Sequence, residues 1–467
     1  MKNKFYITTP IYYVNAKPHI GHAYTTVATD TLARFHKTLE DNTFFLTGTD
    51  EHGLKIQKKA QEAGKEPQDF VNEISQEFKN LWDSLGIEYS NFIRTTDAQH
   101  KETVRKVLQA LYDKGAIYKG EYEGLYCVGC EQFLHEKDLI DGKCPDHNQA
   151  PEKVKEESYL MKMTEIQGKL IEKIENNELE IAPERYKNEI LSFLKGQKLE
   201  DVSISRKNVS WGIPLPFDES QTTYVWVDAF LNYLTGLGWD GNLENMPEKW
   251  PADVQLIGKD ILRVHATIWP AILLHLGFPL PKKLFVHGHI LSGGKKMSKT
   301  LGNVIGIDEM IEKFGKDGTR YLLLSAGTFG EDVDVTMERM VEKYNADLAN
   351  GIGNLVSRVI KMSQDVELKH KQLTKIDISS YYSRMDLGLL LNFIWNIIRS
   401  SNVLIDKEKP WELKKTDEAK FKFVMEKLIS DLYQISELLE PFLPETSEKI
   451  KKALLTREVE PLFQRIR

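Results

Sequence analysis

The sequence predicts an α/β fold in which a doubly wound parallel sheet carries a large insertion and is followed by an all-α domain. Short apolar runs alternate with segments of helical periodicity over residues 5–115 and 221–305, as in a series of βαβ units. Residues 116–220 interrupt this alternation with many glycines, prolines and charged residues, which indicates an insertion. From about residue 338 onward, only helical periodicity remains.

The first strand and helix are predicted from residues 5–9 and 23–35. Residues 5–9 form an apolar and β-branched run that is typical of a buried strand. Apolar residues at helical spacing between 23 and 35 predict the helix that follows. A second strand is predicted over residues 44–47, and residues 54–115 are helical in pattern.

Three more strands are predicted at residues 224–227, 254–257 and 284–286. Open α/β sheets bind ligands beyond the carboxyl ends of their strands. The most polar short segments each follow a predicted strand, so four candidate site segments are expected at one edge of the sheet: residues 19–22, 50–53, 258–260 and 295–299.

The carboxyl-terminal part is predicted to be entirely helical. Its first helix is indicated by apolar residues at helical spacing: Leu348, Ile352, Leu355, Val359 and Met362. A further helix is expected to begin at Pro410, because proline is tolerated in the first turn of a helix.

A chain of 467 residues exceeds the usual size of one domain. We predict the first half of the sheet domain at residues 1–115, the insertion at 116–220, the second half at 221–305, a linking segment at 306–337 and the helical domain at 338–467.

Composition indicates a globular protein outside the membrane. Hydrophobic residues make up 41% of the chain, and no run of about 18 apolar residues is present. The first residues contain neither a signal peptide nor an Arg-rich transit segment, so a cytoplasmic location is expected. The net charge of -7 means that a polyanion would have to bind at a locally basic surface.

The three cysteines are clustered and suggest a metal site. Cys127 and Cys130 form one C-x-x-C pair, and Cys144 and His147 form a C-x-x-H pair thirteen residues later. Such paired spacings suit tetrahedral Zn²⁺, and four protein ligands leave no open coordination position, so the ion would be structural. His135, between the pairs, is an alternative ligand.

Two distant segments have compositions suited to binding phosphate. His19-Ile20-Gly21-His22 lies between a predicted strand and the start of a helix, where the helix dipole favours phosphate and imidazoles can donate hydrogen bonds. The segment at 293–300, Gly-Gly-Lys-Lys-Met-Ser-Lys-Thr, combines glycines with cations in the manner of a mobile phosphate-binding loop.

Together these segments resemble the HIGH and KMSKS signatures of class I aminoacyl-tRNA synthetases. Residues 12–22, 47–53, 224–229 and 257–261 are similar to the sequence blocks of methionyl-tRNA synthetases in particular. The resemblance covers nearly the whole chain and implies a Rossmann-type catalytic domain with a zinc-containing connective insertion and a helical anticodon-binding domain. Thr300 replaces the usual final serine of the second signature and keeps its hydroxyl.

The resemblance implies an ATP site and a methionine pocket. His19, His22, Lys296 and Lys299 would be catalytic, and ATP would be bound by these residues with Gly21, Gly258, Asp260 and Ser298. Asp50 would hold the α-ammonium of L-methionine. The remaining pocket residues would be Ile11, Tyr13, Trp226, Ala229, Tyr233, Ile261, His265 and Trp269. Mg²⁺ is expected with ATP.

The resemblance also assigns residues to the zinc site and to tRNA. Cys127, Cys130, Cys144 and His147 match the single-knuckle version of the family's zinc site, with one structural Zn²⁺ per chain. Asn354, Arg358 and Trp411 match residues that read the CAU anticodon, so initiator and elongator tRNA(Met) would be partners. No segment corresponds to the appended tRNA-binding domain that dimerises some relatives, so a monomer is expected.

Two alternatives remain open at this point. Another class I synthetase is the first, although the leucine, isoleucine and valine enzymes need a large editing insertion and a cysteine enzyme needs an open zinc position. A catalytically silent RNA-binding paralogue is the second, and the intact His19, His22, Lys296 and Lys299 argue against it.

Overall fold

The strands belong to one parallel sheet and three smaller sheets. A computed structural model describes residues 3–127, 132–134, 136, 139–145, 148–297, 304–364, 366 and 376–467. The strands are β1 (Lys4–Thr8), β2 (Tyr12–Tyr13), β3 (Asn42–Asp50), β4 (Asn91–Arg94), β5 (Ile117–Cys127), β6 (Gln132–Leu134), β7 (Glu152–Met161), β8 (Glu180–Ala182), β9 (Val202–Ser203), β10 (Ser205–Arg206), β11 (Pro214–Leu215), β12 (Asp218–Thr223), β13 (Val254–Gly258), β14 (Lys283–His287), β15 (Ile290–Ser292), β16 (Lys295–Lys296) and β17 (Val333–Asp334).

Helices flank the parallel sheet and fill the carboxyl-terminal part. They are α1 (Ile20–Thr38), α2 (Leu54–Glu62), α3 (Pro67–Leu85), α4 (Ala98–Asp113), α5 (Gln167–Glu175), α6 (Glu184–Gly196), α7 (Val225–Phe230), α8 (Asn232–Thr235), α9 (Leu262–Leu276), α10 (Ile307–Leu324), α11 (Met337–Lys343), α12 (Asn354–Met362), α13 (Ser379–Ser383), α14 (Leu387–Glu408), α15 (Pro410–Thr416), α16 (Glu418–Leu439) and α17 (Pro444–Thr456). A 3₁₀ turn covers Lys259–Ile261, and a π-helical segment covers Tyr344–Gly353.

The chain forms two compact units. Unit 1 contains Met1–Pro18, Asp41–Asn80 and Glu88–Val286, and unit 2 contains His19–Glu40, Leu81–Ile87 and His287–Arg467. Unit 1 holds the large sheet, in which strands follow the order β2-β3-β1-β13-β14-β8, with β4 beside β3. Strand β1 pairs in parallel with both β3 and β13, which confirms the predicted parallel sheet.

Parallel pairing brings two of the predicted site segments to one edge of this sheet. The carboxyl ends of parallel strands lie on the same side, so the segments after β3 and β13, residues 50–53 and 258–260, share that edge. The insertion at 116–220 builds antiparallel sheets, of which the largest has the order β6-β5-β7-β9, and it also contributes β8, which pairs in parallel with β14 at the edge of the large sheet.

Two predictions of elements are wrong. Residues 224–227 were expected to form a strand, but Tyr224 is the N-cap of helix α7, and Val225 and Val227 are buried within it. A short apolar run does not distinguish a buried strand from a buried helix, since both bury every side chain. The helical pattern predicted for 54–115 is interrupted by β4, which pairs in parallel with β3 in the large sheet.

The carboxyl-terminal part is helical, as predicted. In the ranges described beyond residue 337, every regular element is a helix, and helix α15 begins at Pro410. The stripe residues Leu348, Ile352, Leu355 and Val359 are fully buried.

Among the described residues, one helix is long and apolar enough by composition to cross a membrane. This is helix α14, which has 22 residues. Its Leu390, Ile394 and Ile398 are buried, as in a core helix of a bundle.

Candidate functional site

An aromatic cluster in unit 1 contains four of the nine predicted methionine-pocket residues. Helix α7 carries Trp226, and helix α9 carries His265 and Trp269 on one face, four residues apart. Tyr233 lies between them, with its ring centroid 5.7 Å from that of Trp269 and 6.1 Å from that of His265. The cluster therefore combines residues that are distant in sequence.

Other predicted pocket residues pack against the hydrophobic core to which this cluster belongs. Ile11, Tyr13 and Ile261 are partly buried against the same hydrophobic core, and Ala229 is 5% exposed. Phe230 also contributes, with its ring centroid 4.9 Å from His265, although the sequence analysis did not single it out. Its position four residues after Trp226 was the available signal, because residues at this spacing lie on one helical face.

His265 is a neutral imidazole with a defined tautomer. Burial lowers its pKa to about 4, so the ring is uncharged near neutral pH. Its Nδ1 lies 2.9 Å from the carbonyl oxygen of Ile261, and its Nε2 lies 2.9 Å from the hydroxyl of Tyr233. A carbonyl can only accept, so the hydrogen is on Nδ1, and Tyr233 donates its hydroxyl hydrogen to Nε2.

Asp50 ends strand β3 at the carboxyl edge of the sheet. It is the Cα partner of Tyr13 on β2, and the amide of Val14 donates to the carbonyl of Asp50 over 3.1 Å. Its neighbour Glu51 is completely buried and accepts hydrogen bonds from Arg94 of 2.7 and 2.9 Å. A carboxylate fixed in this way holds the end of the strand in one conformation.

Trp211 also supports this strand end, and sequence reasoning missed it. Its indole Nε1 donates to the carbonyl of Glu51 over 2.6 Å, and the amide of Gly53 donates to the carbonyl of Trp211 over 2.9 Å. The contact joins residues 160 positions apart, so no local pattern could indicate it.

The histidines of the first signature cap helix α1 in unit 2. His19 is the N-cap, and its Nδ1 accepts from the amide of Gly21 over 3.1 Å. The Nδ1 of His22 accepts from the amide of His19 over 3.2 Å, so the two side chains form a reciprocal capping box. The rings stack with centroids 3.7 Å apart.

This cap determines the hydrogen positions of both rings. Each Nδ1 accepts from a backbone amide, so each neutral ring carries its hydrogen on Nε2. Burial, together with neighbouring His19, lowers the pKa of His22 well below its usual value. The amino terminus of α1 therefore presents two imidazole Nε2–H donors, besides its helix dipole.

A buried arginine anchors helix α1 inside unit 2. Arg320 of helix α10 is completely buried, and its Nη2 lies 2.8 Å from the Asp30 carboxylate on α1. The same guanidinium donates to the carbonyls of Phe442 and Pro441, in the turn between α16 and α17. The helix that carries His19 and His22 is therefore bonded to two other elements of its unit.

The second signature begins in a hairpin of unit 2. Strands β15 and β16 pair antiparallel across Gly293 and Gly294, whose φ angles of 62° and 73° suit a tight hairpin turn. Lys296 is at the end of β16. Ser298, Lys299 and Thr300 lie outside the described residues.

Gly258 and Asp260 of the predicted ATP site follow strand β13 in unit 1. Gly258 precedes the 3₁₀ turn Lys259–Ile261, and Asp260 is exposed on that turn. The fold therefore places these two residues at the carboxyl edge of the sheet.

The predicted zinc ligands are described only in part. Cys127 ends strand β5 and is 2% exposed, and Cys144 is 1% exposed after a tight turn in which Ile140 pairs with Lys143. Cys130 and His147, and also His135, lie outside the described residues. Within the ranges that the structure covers, no group of three or more metal-ligating side chains occurs.

The predicted anticodon residues share one surface of unit 2. The guanidinium of Arg358 lies 5.9 Å from the ring centroid of Trp411, and Trp411 is 46% exposed. Arg358 also pairs with Asp406 over 2.7 Å. Asn354 is exposed one helical turn before Arg358.

Comparisons with known proteins agree with these features. Residues 5–153 and 137–360 match a family model described as tRNA synthetases class I (M). A methionine–tRNA ligase of Caldanaerobacter subterraneus subsp. tengcongensis is 43% identical over 97% of this chain and 74% of its own. One of Rickettsia bellii is 40% identical over 100% of this chain and 95% of its own.

Solved structures give the same result. The Mycobacterium tuberculosis methionyl-tRNA synthetase in complex with methionyl-adenylate has a TM-score of 0.90 and 34% sequence identity. The match covers 97% of this chain and 93% of that one. The chain belongs to the methionine–tRNA ligase family of the class I tRNA synthetases.

Proposed function

We propose that this chain activates L-methionine with ATP, giving methionyl-adenylate and pyrophosphate, and then transfers the methionyl group to the 3′ end of tRNA(Met). The aromatic cluster near the Asp50 strand end is the observation that carries this proposal. The cluster provides an uncharged wall for a thioether, and Asp50, paired with Tyr13 at the end of β3, provides a carboxylate for an ammonium group.

Methionine is selected by shape and polarizability in this proposal. Trp226, Tyr233 and Trp269 offer aromatic surfaces to the thioether, and each sulfur–aromatic contact contributes about 0.3–1.5 kcal/mol. The hydroxyl of Tyr233 donates to His265, so this hydroxyl hydrogen is not used to bind the substrate side chain. Asp50 pairs with the α-ammonium, as a carboxylate does with a cation.

ATP is bound through the two signatures and the segment after β13. His19 and His22 donate from Nε2 to phosphate oxygens as negative charge develops, and Gly21 keeps the helix start open. Gly258 and Asp260 contact the nucleotide. Lys296, Ser298 and Lys299 bind the triphosphate and the departing pyrophosphate. Mg²⁺, when bound with ATP, neutralises phosphate charge.

The chemistry needs no covalent enzyme intermediate. The methionine carboxylate attacks the α-phosphorus of ATP, and pyrophosphate leaves with the electrons of the broken P–O bond. The ribose hydroxyl at the tRNA 3′ end then attacks the acyl carbon, and AMP leaves.

The helical part of the chain recognises the anticodon. Asn354 and Arg358 supply hydrogen bonds to base edges, and the exposed ring of Trp411 stacks on an unpaired base. The CAU anticodon is common to initiator and elongator tRNA(Met), so both are substrates. We assign anticodon recognition to the predicted domain at 338–467 and catalysis to the predicted domain at 1–115 and 221–305. The segment at 306–337 links these two domains.

A structural zinc site belongs to the insertion at 116–220. Two buried cysteines on a strand end and a tight turn are suitable thiolate donors, with Cys130 and His147 as the remaining ligands. Metal analysis of extensively washed protein should give about one zinc per chain, and Cys144→Ser should lower that value. A zinc content near zero in the unaltered protein would refute this site.

The first half-reaction gives the direct test of substrate choice. Labelled pyrophosphate should exchange into ATP only when L-methionine is present, and leucine, isoleucine, valine or cysteine should not replace it. Exchange supported equally by one of these amino acids would contradict the proposed pocket. The absence of exchange with every amino acid would favour a catalytically silent RNA-binding protein instead.

A further inference from the structure

A buried carboxylate in unit 1, Asp228, joins two histidines. The Nδ1 of His52 lies 2.7 Å from Oδ2 of Asp228, and the Nε2 of His100 lies 2.8 Å from Oδ1. Asp228 is 1% exposed, His52 4% and His100 0%. Both carboxylate oxygens are therefore bonded to imidazole nitrogens in a site that excludes water.

The three residues come from elements that carry the proposed methionine-binding groups. His52 lies two residues after Asp50, at the end of strand β3. Asp228 is on helix α7, between Trp226 and Ala229. The carboxylate thus bonds the segment of the ammonium-binding Asp50 to the helix that forms part of the aromatic wall.

His100 extends this connection to helix α8. Its Nδ1 lies 2.7 Å from the hydroxyl of Thr235, two residues after Tyr233. His100 belongs to helix α4, which packs against helices α8 and α9. The ring therefore bridges helices α7 and α8 from a third helix.

The carboxylate stays ionised near neutral pH. Burial alone would raise the pKa of Asp228, but its contacts with His52 and His100 outweigh that effect and lower the pKa. An ionised carboxylate accepts hydrogen bonds through both oxygens, so it can hold both rings at once.

We infer that Asp228 is a positioning residue for methionine: by holding His52 and His100, it sets the separation between Asp50 and the wall of Trp226, Ala229 and Tyr233. The inference rests on the proposed methionine pocket. Asp228 acts through its neighbours, since its own oxygens are occupied by the two imidazoles. Neither of these histidines has a part in the proposed chemistry.

The variant Asp228→Asn tests the inference with little change of volume. The amide nitrogen of asparagine would face an imidazole N–H, so one of the two bonds is lost. The KM for methionine in pyrophosphate exchange should rise about tenfold or more, while kcat and the KM for ATP stay within about twofold. A KM for methionine that stays within about twofold of the unaltered value would overturn the inference.

Two variants of His100 provide a matched pair that does not depend on Asp228→Asn folding. The amide of glutamine reaches the position of Nε2, so His100→Gln keeps the donor to Asp228 and loses the contact with Thr235. Asparagine occupies the position of Nδ1, so His100→Asn loses the donor to Asp228. The KM for methionine should rise with His100→Asn and change little with His100→Gln. Equal values for the two would contradict the inference.

A control separates positioning from general stability. Asp317→Asn alters another buried carboxyl group, in unit 2, which accepts from Thr446 over 2.6 and 2.7 Å. It should lower the thermal unfolding temperature without raising the KM for methionine. If the unaltered protein shows no methionine-dependent exchange, the proposed function fails, whereas normal exchange with unaffected Asp228 variants refutes only the inference.

Discussion

The hydrogen positions of His19 and His22 follow from the backbone that they cap. Each Nδ1 accepts from a backbone amide, so in the neutral ring each hydrogen is on Nε2. The sequence predicts two histidines at a helix start, but only the geometry shows which ring nitrogen caps the backbone. The capping box therefore orients the rings and also sets their tautomers.

Replacement of His22 by asparagine and by glutamine should separate the capping role of Nδ1 from the donor role of Nε2. His22→Asn retains an acceptor near Nδ1 and loses the Nε2–H donor, so kcat for pyrophosphate exchange should fall about 10²-fold. His22→Gln places an amide N–H near the position of Nε2 and should lose less activity. Equal losses for the two variants in the same exchange assay would contradict the assignment of Nε2 as the donor.

The buried imidazole of His265 should make the protein less stable in acid. Its pKa is about 4 in the folded chain and about 6.5 when unfolded, so the unfolded chain binds more protons between these values. Stability from this residue is complete above about pH 6.5 and decreases as the pH falls towards 4. At pH 5 the loss is about 2 kcal/mol.

Thermal unfolding at pH 7 and pH 5 measures this effect. The unfolding temperature should fall more between these two values in the unaltered protein than in His265→Gln. His275→Gln, on the same helix, is a control, because His275 is not fully buried. An identical pH response of the unaltered protein and His265→Gln would show that His265 does not titrate as described.

Residues that support the site from a distance were not predictable. Trp211, His100 and Arg320 act through contacts that span more than 100 residues of sequence. The local sequence around each residue predicts only its secondary structure: a turn for Trp211 and a helix for His100 and Arg320. It does not indicate the distant partner. The folded chain brings each to a strand end or to a helix that carries signature residues.

At the scale of elements, helix α7 shows that a short apolar run does not by itself distinguish a helix from a strand. Val225 and Val227 suggested a strand, but the helix turns Trp226 towards the aromatic cluster while burying Asp228 against two histidines.

The helix that carries Asn354 and Arg358 begins beyond a π-helical segment, which the apolar stripe did not indicate. In Tyr344–Gly353, a Cβ atom added to Gly353 would lie 3.0 Å from the carbonyl oxygen of Leu348, five residues earlier. Glycine accepts this close approach because it has no Cβ atom. The segment sets the rotation of helix α12 and thus the direction in which its exposed residues point.

The Trp411 surface can be tested separately from the first half-reaction. Trp411→Ala should lower kcat/KM for charging of tRNA(Met) about tenfold or more, because a base loses its stacking partner. Methionine-dependent pyrophosphate exchange should remain near normal. Tyr433→Ala is a matched control, since Tyr433 is 44% exposed and Trp411 is 46% exposed. Equal loss of charging and exchange in Trp411→Ala would indicate a structural effect instead.

At the scale of the whole molecule, the sheet and the helical part were predictable because each has its own periodicity. Apolar runs such as residues 5–9 and 254–257 have lengths that suit buried strands and became β1 and β13. The assignment of α1 to unit 2 was not predictable, because it depends on bonds such as Asp30 to Arg320 between elements distant in sequence.

Charging of tRNA is the measurement that tests the central claim most directly. The purified chain, given ATP, Mg²⁺ and labelled L-methionine, should attach the label to tRNA with a CAU anticodon. It should not attach it to the same tRNA with the anticodon replaced, nor charge the CAU tRNA with leucine or isoleucine. Adenylate formation without transfer to the CAU tRNA, or charging with another amino acid, would contradict the account.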